Sequence, residues 1–356
     1  MTQKSESSIP GFENFPGREV KFKTPYSFFE ARRKIDGAEG LWRIRNNLYD
    51  LEGFAKFHPG GEEWIHLTKG TDITEIFESY HLTDKAAKLL PKYFVREAVS
   101  PRKLPLTFEP NGFFSTFQRR ALEALKHVDF HRPSKKSNLI ADLLVTATVS
   151  FSLAAAYTQS HLIIVLAGLF LTWTTIIGHN YFHMRDTFRM YYFDLSLMSS
   201  KDWRISHALS HHIYPNTLWD YEIYSLEPFL LWLPDPKKSW LLGVVSQLAS
   251  PLIWALGFYE QAIKRDDYDW GVLELDAVRE RPVIDDSDFL VLTNFGLHGL
   301  HHLLPTVDHC YLHLCEKAFK ETCKEFGIST EKFSQWELVK GQFKQILRKE
   351  QKRNLR

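Results

Sequence analysis

Apolar and polar residues alternate along Leu41–Leu51 (LWRIRNNLYDL), the period-two pattern of a strand pair with Arg45-Asn46-Asn47 as its polar turn. Short helical patterns broken by Gly and Pro follow, so Val20 to about Val99 reads as a small soluble domain. The pattern changes at Phe113. Over FFSTFQRRALEALKHV, the residues Phe113, Phe114, Phe117, Ala121, Leu122 and Leu125 recur at helical spacing, with Arg119, Arg120 and Lys126 between them. That is an amphipathic helix, which either packs on the protein or lies on a membrane surface. Two long apolar runs come next: 19 residues from Leu139 to Tyr157 with one charge, Asp142, and 17 residues from Leu162 to Gly178 with none. Each lies near the short end of the roughly 20 residues that span a bilayer. Joined by Thr158-Gln159-Ser160-His161, they predict a transmembrane hairpin. Lys135 and Lys136 before it, and Arg185, Arg189, Lys201 and Arg204 after it, place both ends on the cytosolic side.

Composition narrows the picture modestly. A length of 356 residues allows two domains, 44% apolar content suffices for a core, and a net charge of +1 gives no sign of a nucleic-acid partner. The three cysteines, Cys310, Cys315 and Cys323, are odd in number and clustered late, which argues against a disulfide framework and for a reduced, cytosol-facing setting. Residues 1–18 read as a flexible tail, and the polar stretch from Glu316 reads as helical. The last 20 residues carry seven Lys or Arg against two Glu, as suits an anionic membrane surface or a solvated basic helix.

Histidine placement carries the chemistry. Eight of the sixteen histidines fall in three short boxes: His179 with His183; His207 with His211 and His212; His298 with His301 and His302. On a helix, His207 and His211 stand one turn apart, roughly 6 Å along the axis, close enough to grip one ion. His309 and His313 are also a turn apart and are expected at the surface or behind the ligands. In the N-terminal domain, His58 precedes Pro59 and the Gly60-Gly61 pair lets something bulky approach the backbone. His81 ends a helical run that carries Ile76 and Phe77. Two imidazoles facing each other across an apolar cleft are what a six-coordinate haem iron requires. On the residues alone, a turn histidine and an unrelated helix-end histidine is the alternative.

The stretch Val20–Val99 resembles the cytochrome b5 haem-binding domain, through His58-Pro59-Gly60-Gly61, Tyr49-Asp50-Leu51 and Phe77-Glu78. That resemblance implies haem b, with His58 and His81 as axial ligands and Phe54 and Phe77 lining the pocket. The eight acidic residues from Asp50 to Asp84 outweigh Lys56, Lys69 and Lys85 by five charges. Such a patch could steer a basic electron donor. From about Leu139 to Pro305 the three boxes, in order and with the HHLLP ending of the third, resemble the membrane fatty acid desaturase and hydroxylase family. The fused arrangement is similar to cytochrome b5-related proteins and front-end desaturases. The resemblance implies that His179, His183, His207, His211, His212, His298, His301 and His302 hold a non-haem di-iron centre. It also implies a fatty acyl substrate, dioxygen, membrane lipid, and a cytochrome b5 reductase or similar donor. The expected fold is an α+β cytochrome b5-like domain followed by an all-α membrane domain. The expected division is a tail (1–18), a haem domain (19–100), a linker with the amphipathic helix (101–136), a membrane domain (137–310) and a cytosolic helical tail (311–356). The expected location is the endoplasmic reticulum membrane, multi-pass, with the haem domain cytosolic.

Two departures from the family bear on the iron site. Between the second and third boxes the family has two spans, whereas this chain offers one long apolar run, Trp240–Tyr259. Lysines and arginines flank it at both ends, so it is expected either to re-enter, hinged at Ser250-Pro251, or to mark a missing span. The family also supplies a further histidine after its fourth span, and none lies between Arg265 and Asp288.

Overall fold

The computed structural model describes residues 12, 15–20, 22–227, 229–235, 238–253, 263–264, 268–350 and 352–353. The alternating stretch becomes β1 (Trp42–Ile44) and β2 (Asn47–Tyr49), antiparallel with Trp42 opposite Tyr49. Arg45 takes the positive φ of 56° that this tight connection needs. A third strand, β3 (Phe94–Glu97), pairs antiparallel with β2. Its four residues are exposed, so no inward-outward alternation marks it in the sequence. Helices Glu62–Thr68 and Thr74–Tyr80 stand beside this sheet, and Trp42, Ile44, Leu51, Ile65 and Ile73 fill the small core beneath them.

Beyond this α+β unit the described chain is helical apart from a two-residue parallel pairing of Ile263–Lys264 with Lys352–Arg353. The amphipathic helix Phe113–Leu125 packs on the protein, with Phe117 edge-on to Phe319 and Phe114 edge-on to Trp270. Truncating such a buried ring costs about 3–5 kcal/mol. Phe319 belongs to the helix Glu316–Glu325, so part of the polar C-terminal stretch is tied into the main core. Phe12 and Phe15 are likewise buried, Phe15 against Phe28, Trp219 and Tyr224. A tail reading rests on Ser, Gly and Pro content, and two aromatic anchors override it.

Helices Lys135–Thr158 and His161–His179 form the expected hairpin and are the two among the described residues long and apolar enough to cross a membrane. Leu139, Leu143, Leu153, Leu162 and Val165 point outward and stay exposed, an apolar surface suited to lipid. The lone charge Asp142 is met by Arg189 at 2.7 Å and by the Tyr192 hydroxyl at 2.9 Å. The later apolar run forms a helix, Trp240–Ile253, with Ser250-Pro251 in its last described turn. Proline removes a backbone donor to residue i−4, here Gln247, and the Ser250 hydroxyl donates to the Gln247 carbonyl instead, at 3.0 Å. At 14 residues this helix is about 21 Å long, short of the ~30 Å hydrocarbon core, and the rest of the run to Tyr259 lies outside the described residues.

Candidate functional site

In the N-terminal unit, His58 ends the turn after Glu52–Phe57 and His81 caps the helix Thr74–Tyr80. Their ring centroids are 6.3 Å apart. Two metal–nitrogen bonds of about 2.0 Å plus half a ring on either side require roughly that spacing. Each Nδ1 is turned away to a carbonyl, His58 to Gly61 O at 2.8 Å and His81 to Phe77 O at 2.9 Å. That fixes the tautomer and leaves both Nε2 atoms bare. Phe54 and Phe77 sit against them, with ring centroids 6.0 Å from His58 and 4.8 Å from His81 respectively. The surrounding cavity of ≈ 630 Å³ is lined by Leu51, Phe54, Phe77 and Leu90 on one side and by Phe130, Arg132 and Arg185 of the helical region on the other. Burial lowers the pKa of both histidines, keeping them neutral and able to ligate.

The three boxes meet in one buried cluster. His179, His183, His207, His212 and His301 each direct a ring nitrogen to a common point, all within 4.8 Å of one another. The Nε2 of His179 lies 2.8 Å from that of His207, 3.3 Å from that of His183 and 3.2 Å from that of His301. Neighbouring ligands on a metal with bonds of about 2.1 Å are separated by roughly 3 Å. His207, His211 and Glu222 form a second group of the same kind. The Nε2 atoms of His298 and His302 are 3.1 Å apart, and His302 stacks on His212. Burial, then the neighbouring imidazoles, hold His183, His212, His298, His301 and His302 well below the usual histidine pKa.

Local backbone explains how each box aims its rings. The first box is not one continuous helix: the helix stops at His179 and a tight turn carries the chain to His183. In the second box the winding is wider than an α-helix, with His212 N bonded to His207 O at 2.9 Å, five residues back. That brings His207 and His212 to the five-histidine group, their Nε2 atoms 3.1 Å apart. It leaves His211 to pair with His207 toward Glu222. His207 and His211, expected one turn apart on one face, thus come together in the second group with Glu222, their rings stacked 5.3 Å apart, while His207 also belongs to the five-histidine group.

Carboxylates stand behind the imidazoles. His207 Nδ1 meets Glu222 at 2.7 Å, His211 Nδ1 meets Asp220 at 2.9 Å and His302 Nδ1 meets Glu274 at 2.8 Å. Such partners hold a ligand's tautomer and direction. Sequence reasoning missed all three. The available signal was an acid inside an apolar stretch, as in LWDYEIY and WGVLEL. His309, expected at the surface or behind the ligands, is buried with its ring 4.4 Å from that of His301, while His313 is exposed. Neither His309 ring nitrogen has a hydrogen-bond partner, nor do the Nδ1 atoms of His179, His212 and His301. The buried, unpaired nitrogens of His309 fit a site that completes itself with a bound ion. Asn180 locks the first box to this segment, donating to Asp308 at 2.9 Å and accepting from the His309 backbone at 2.9 Å.

The haem-type unit is docked onto this cluster. Arg204, within the second box region, bonds Glu63 and Asp186, each at 2.7 Å, and lies 4.7 Å above the Trp64 ring. Arg102 pairs with Asp72 and Glu75. Glu52, Glu78 and Asp84 are also paired, with Lys69, Arg45 and Lys88. Most of the acidic patch is thus spent on intramolecular partners, and the expectation that it steers an external donor is narrowed to Asp50 and Glu62.

Residues 29–99 match the family model of the cytochrome b5-like heme/steroid binding domain. The chain is 38% identical to the cytochrome b5-related protein of Drosophila melanogaster, over 91% of this chain and 92% of that protein. It is 35% identical to the probable Delta(5) fatty acid desaturase C of Dictyostelium discoideum, over 39% of this chain and 30% of that protein. The acyl-lipid (8-3)-desaturase of Mortierella alpina is 25% identical, over 67% of this chain and 58% of that protein. No solved structure gives a significant match. The alignment with the Drosophila melanogaster protein runs over 401 positions, more than the 356 residues of this chain, so that relative carries internal residues absent here.

Proposed function

This chain belongs to the cytochrome b5-related protein family, and from that premise we propose that it is a membrane-bound, oxygen-dependent fatty acyl desaturase fed with electrons by its own haem domain. The observation that carries this reading is the convergence of all three histidine boxes on one buried, carboxylate-backed cluster. The proposed division is a haem domain over 19–100, a connecting segment over 101–136, a desaturase-like domain over 137–310 and a C-terminal segment over 311–356. His58 and His81 hold haem b, and His179, His183, His207, His211, His212, His298, His301 and His302 hold two non-haem irons, with His309 as a ninth candidate. When bound, the haem supplies single electrons and the iron pair supplies dioxygen-dependent oxidation of an unactivated C–H bond, which no side chain performs.

The chain's own residues prepare that chemistry. Burial keeps His183, His212, His298, His301 and His302 neutral, so their nitrogens are lone-pair donors. Glu222, Asp220 and Glu274 accept from Nδ1 and aim Nε2 at the cluster. Arg132 and Arg185, lining the haem cavity, are cations placed for the carboxylates of a porphyrin. The hairpin turns its apolar face outward to lipid, which puts the boxes and the haem domain together at one end of it, on the cytosolic side of the endoplasmic reticulum membrane. Cytochrome b5 reductase, or a donor like it, is the proposed electron source. A second reading, a membrane-anchored haem electron carrier whose desaturase-like half is non-catalytic, draws on the internal residues that the Drosophila melanogaster relative has and this chain lacks.

Metal and haem content of the full chain, purified in detergent, separates the two. The desaturase reading expects one haem and two non-haem irons per chain, with acyl desaturation in the presence of reductase. His58→Ala and His81→Ala should remove the haem and spare the iron, and His211→Ala should do the reverse. Haem with no non-haem iron would refute the desaturase reading and establish the carrier.

A further inference from the structure

Tyr80 joins the two candidate centres. It immediately precedes His81, and its hydroxyl lies 2.9 Å from His183 Nδ1 and 2.9 Å from the Ala208 carbonyl. The hydrogen-bond roles are determined by chemistry: the hydroxyl has one proton, the Ala208 carbonyl can only accept it, and so His183 Nδ1–H donates to the Tyr80 oxygen. His183 Nε2 is thereby turned to the five-histidine group, 3.3 Å from His179 Nε2. Glu222, Asp220 and Glu274 do the same for other box histidines, but those residues belong to the helical region and Tyr80 belongs to the haem-type unit. Its ring is held against Trp64, 5.5 Å between centroids, and Trp64 in turn lies under Arg204. Gln118 adds a bond to the Glu78 carbonyl at 3.2 Å, pinning the same helix from the other side. The contact is therefore a fixed part of the docked arrangement.

We propose that Tyr80 is the electronic bridge between the two centres, carrying an electron from haem bound at His81 to metal bound at His183. The inference rests on the desaturase reading above. The path consists of the His81 side chain, the single peptide unit to Tyr80, the Tyr80 ring and one hydrogen bond. One electron leaves the ferrous haem, which becomes ferric, and one non-haem iron takes it up and passes from ferric to ferrous. Tyr80 is neither oxidised nor deprotonated, and the haem is recharged by its external reductant. Tyr80 is a positioning residue for His183 as well, since the same hydrogen bond serves both purposes.

The test uses the full chain with haem and non-haem iron loaded, under anaerobic conditions. A light pulse excites an added flavin in the presence of a sacrificial amine donor, the flavin radical formed gives the haem one electron, and the haem's return to the ferric form is followed by absorbance. Tyr80→Phe keeps the ring and its packing on Trp64 and deletes the hydroxyl. The expected result is haem content and haem potential as in the parent, weaker iron binding that excess iron makes good, and, in the iron-loaded chains, transfer slowed by an order of magnitude. Replacing Trp64 by Phe, which leaves the hydroxyl in place, should slow transfer much less. An unchanged rate in Tyr80→Phe would overturn the bridge and leave the desaturase reading standing. Iron loss in that variant, with an unchanged rate in the chains that retain iron, would also overturn it by reducing Tyr80 to positioning alone. Absence of any iron-dependent haem oxidation in the parent chain would instead bring down the desaturase reading, and the bridge with it.

Discussion

Gly61, the last residue of His58-Pro59-Gly60-Gly61, lies directly against Asp186 of the helical region. Its backbone takes φ 115° and ψ 147°, a conformation essentially restricted to glycine. A Cβ there would lie 2.2 Å from Asp186 Oδ2 and 2.7 Å from Asp186 Cγ. Gly61→Ala therefore strains the backbone by about 1–3 kcal/mol and expels Asp186 from its bond to Arg204. Losing a charged hydrogen bond costs about 1.5–3 kcal/mol, and the 41% exposure of the Asp186 side chain moves the figure to the lower end. Together the loss is about 2–4 kcal/mol, enough to lower the melting of a domain of this size by on the order of 10–20 °C. Thermal unfolding of the haem-loaded full chain, followed by haem absorbance, measures it. Asp186→Ala in the Gly61→Ala background removes the obstructing carboxylate, so the pair should be coupled by about 0.5–3 kcal/mol rather than additive. Strict additivity, or a Gly61→Ala chain that melts with the parent, would show that the motif does not dock where the geometry places it.

Two further outcomes follow from the cluster. Glu274→Ala leaves His302 Nδ1 without its buried acceptor, so non-haem iron affinity should fall about 10- to 100-fold in a chelator competition while the haem spectrum is unchanged; unaltered affinity would remove Glu274 from the site. Stability of the chelator-stripped chain should fall with acid. His309 is pushed by burial down to about 3, so between the ordinary histidine value of about 6.5 and 3 the unfolded chain takes up a proton that the folded chain refuses. Each such group contributes up to about 1.4 kcal/mol per pH unit, fully present above pH 6.5 and lost as pH falls, and His309→Gln should flatten the curve; a melting temperature insensitive to pH between 7.5 and 5.5 would refute this.

Much of the architecture was legible because it rests on local patterns. The strand pair at Leu41–Leu51, the amphipathic helix at Phe113 and the two apolar helices of the hairpin each announce themselves by period or by length. The boxes were legible as boxes, since histidines three to five residues apart are rare by chance. Their internal geometry was not. The four-residue spacing places His207 beside His211 correctly, but the wide winding that bonds His212 N to His207 O also carries His212 to His207, their Nε2 atoms 3.1 Å apart, and no α-helical spacing indicates that.

What escaped the sequence altogether shares one property: each residue owes its role to contact across a long separation. His309 reads as one of a helical pair with His313, at the surface or behind the ligands, until Asn180 and Asp308 draw it beneath the first box. Glu222 and Glu274 look like ordinary helix acids, yet an acid buried against an imidazole is tolerated only when the pair satisfies both partners, and the imidazoles come from 15 and 28 residues away. Tyr80 touches His183 across 103 residues, and nothing in either segment announces the other. Local periodicity encodes which groups are available; docking decides which of them act together. For this chain the decisive docking contact, Arg204 between Glu63 and Asp186, holds the haem-type unit where its own helix end completes the first box. A cytochrome b5-like unit that merely diffused to its partner would have no use for such a contact. On the proposed desaturase reading, its presence makes the haem-type unit part of the construction of the histidine cluster.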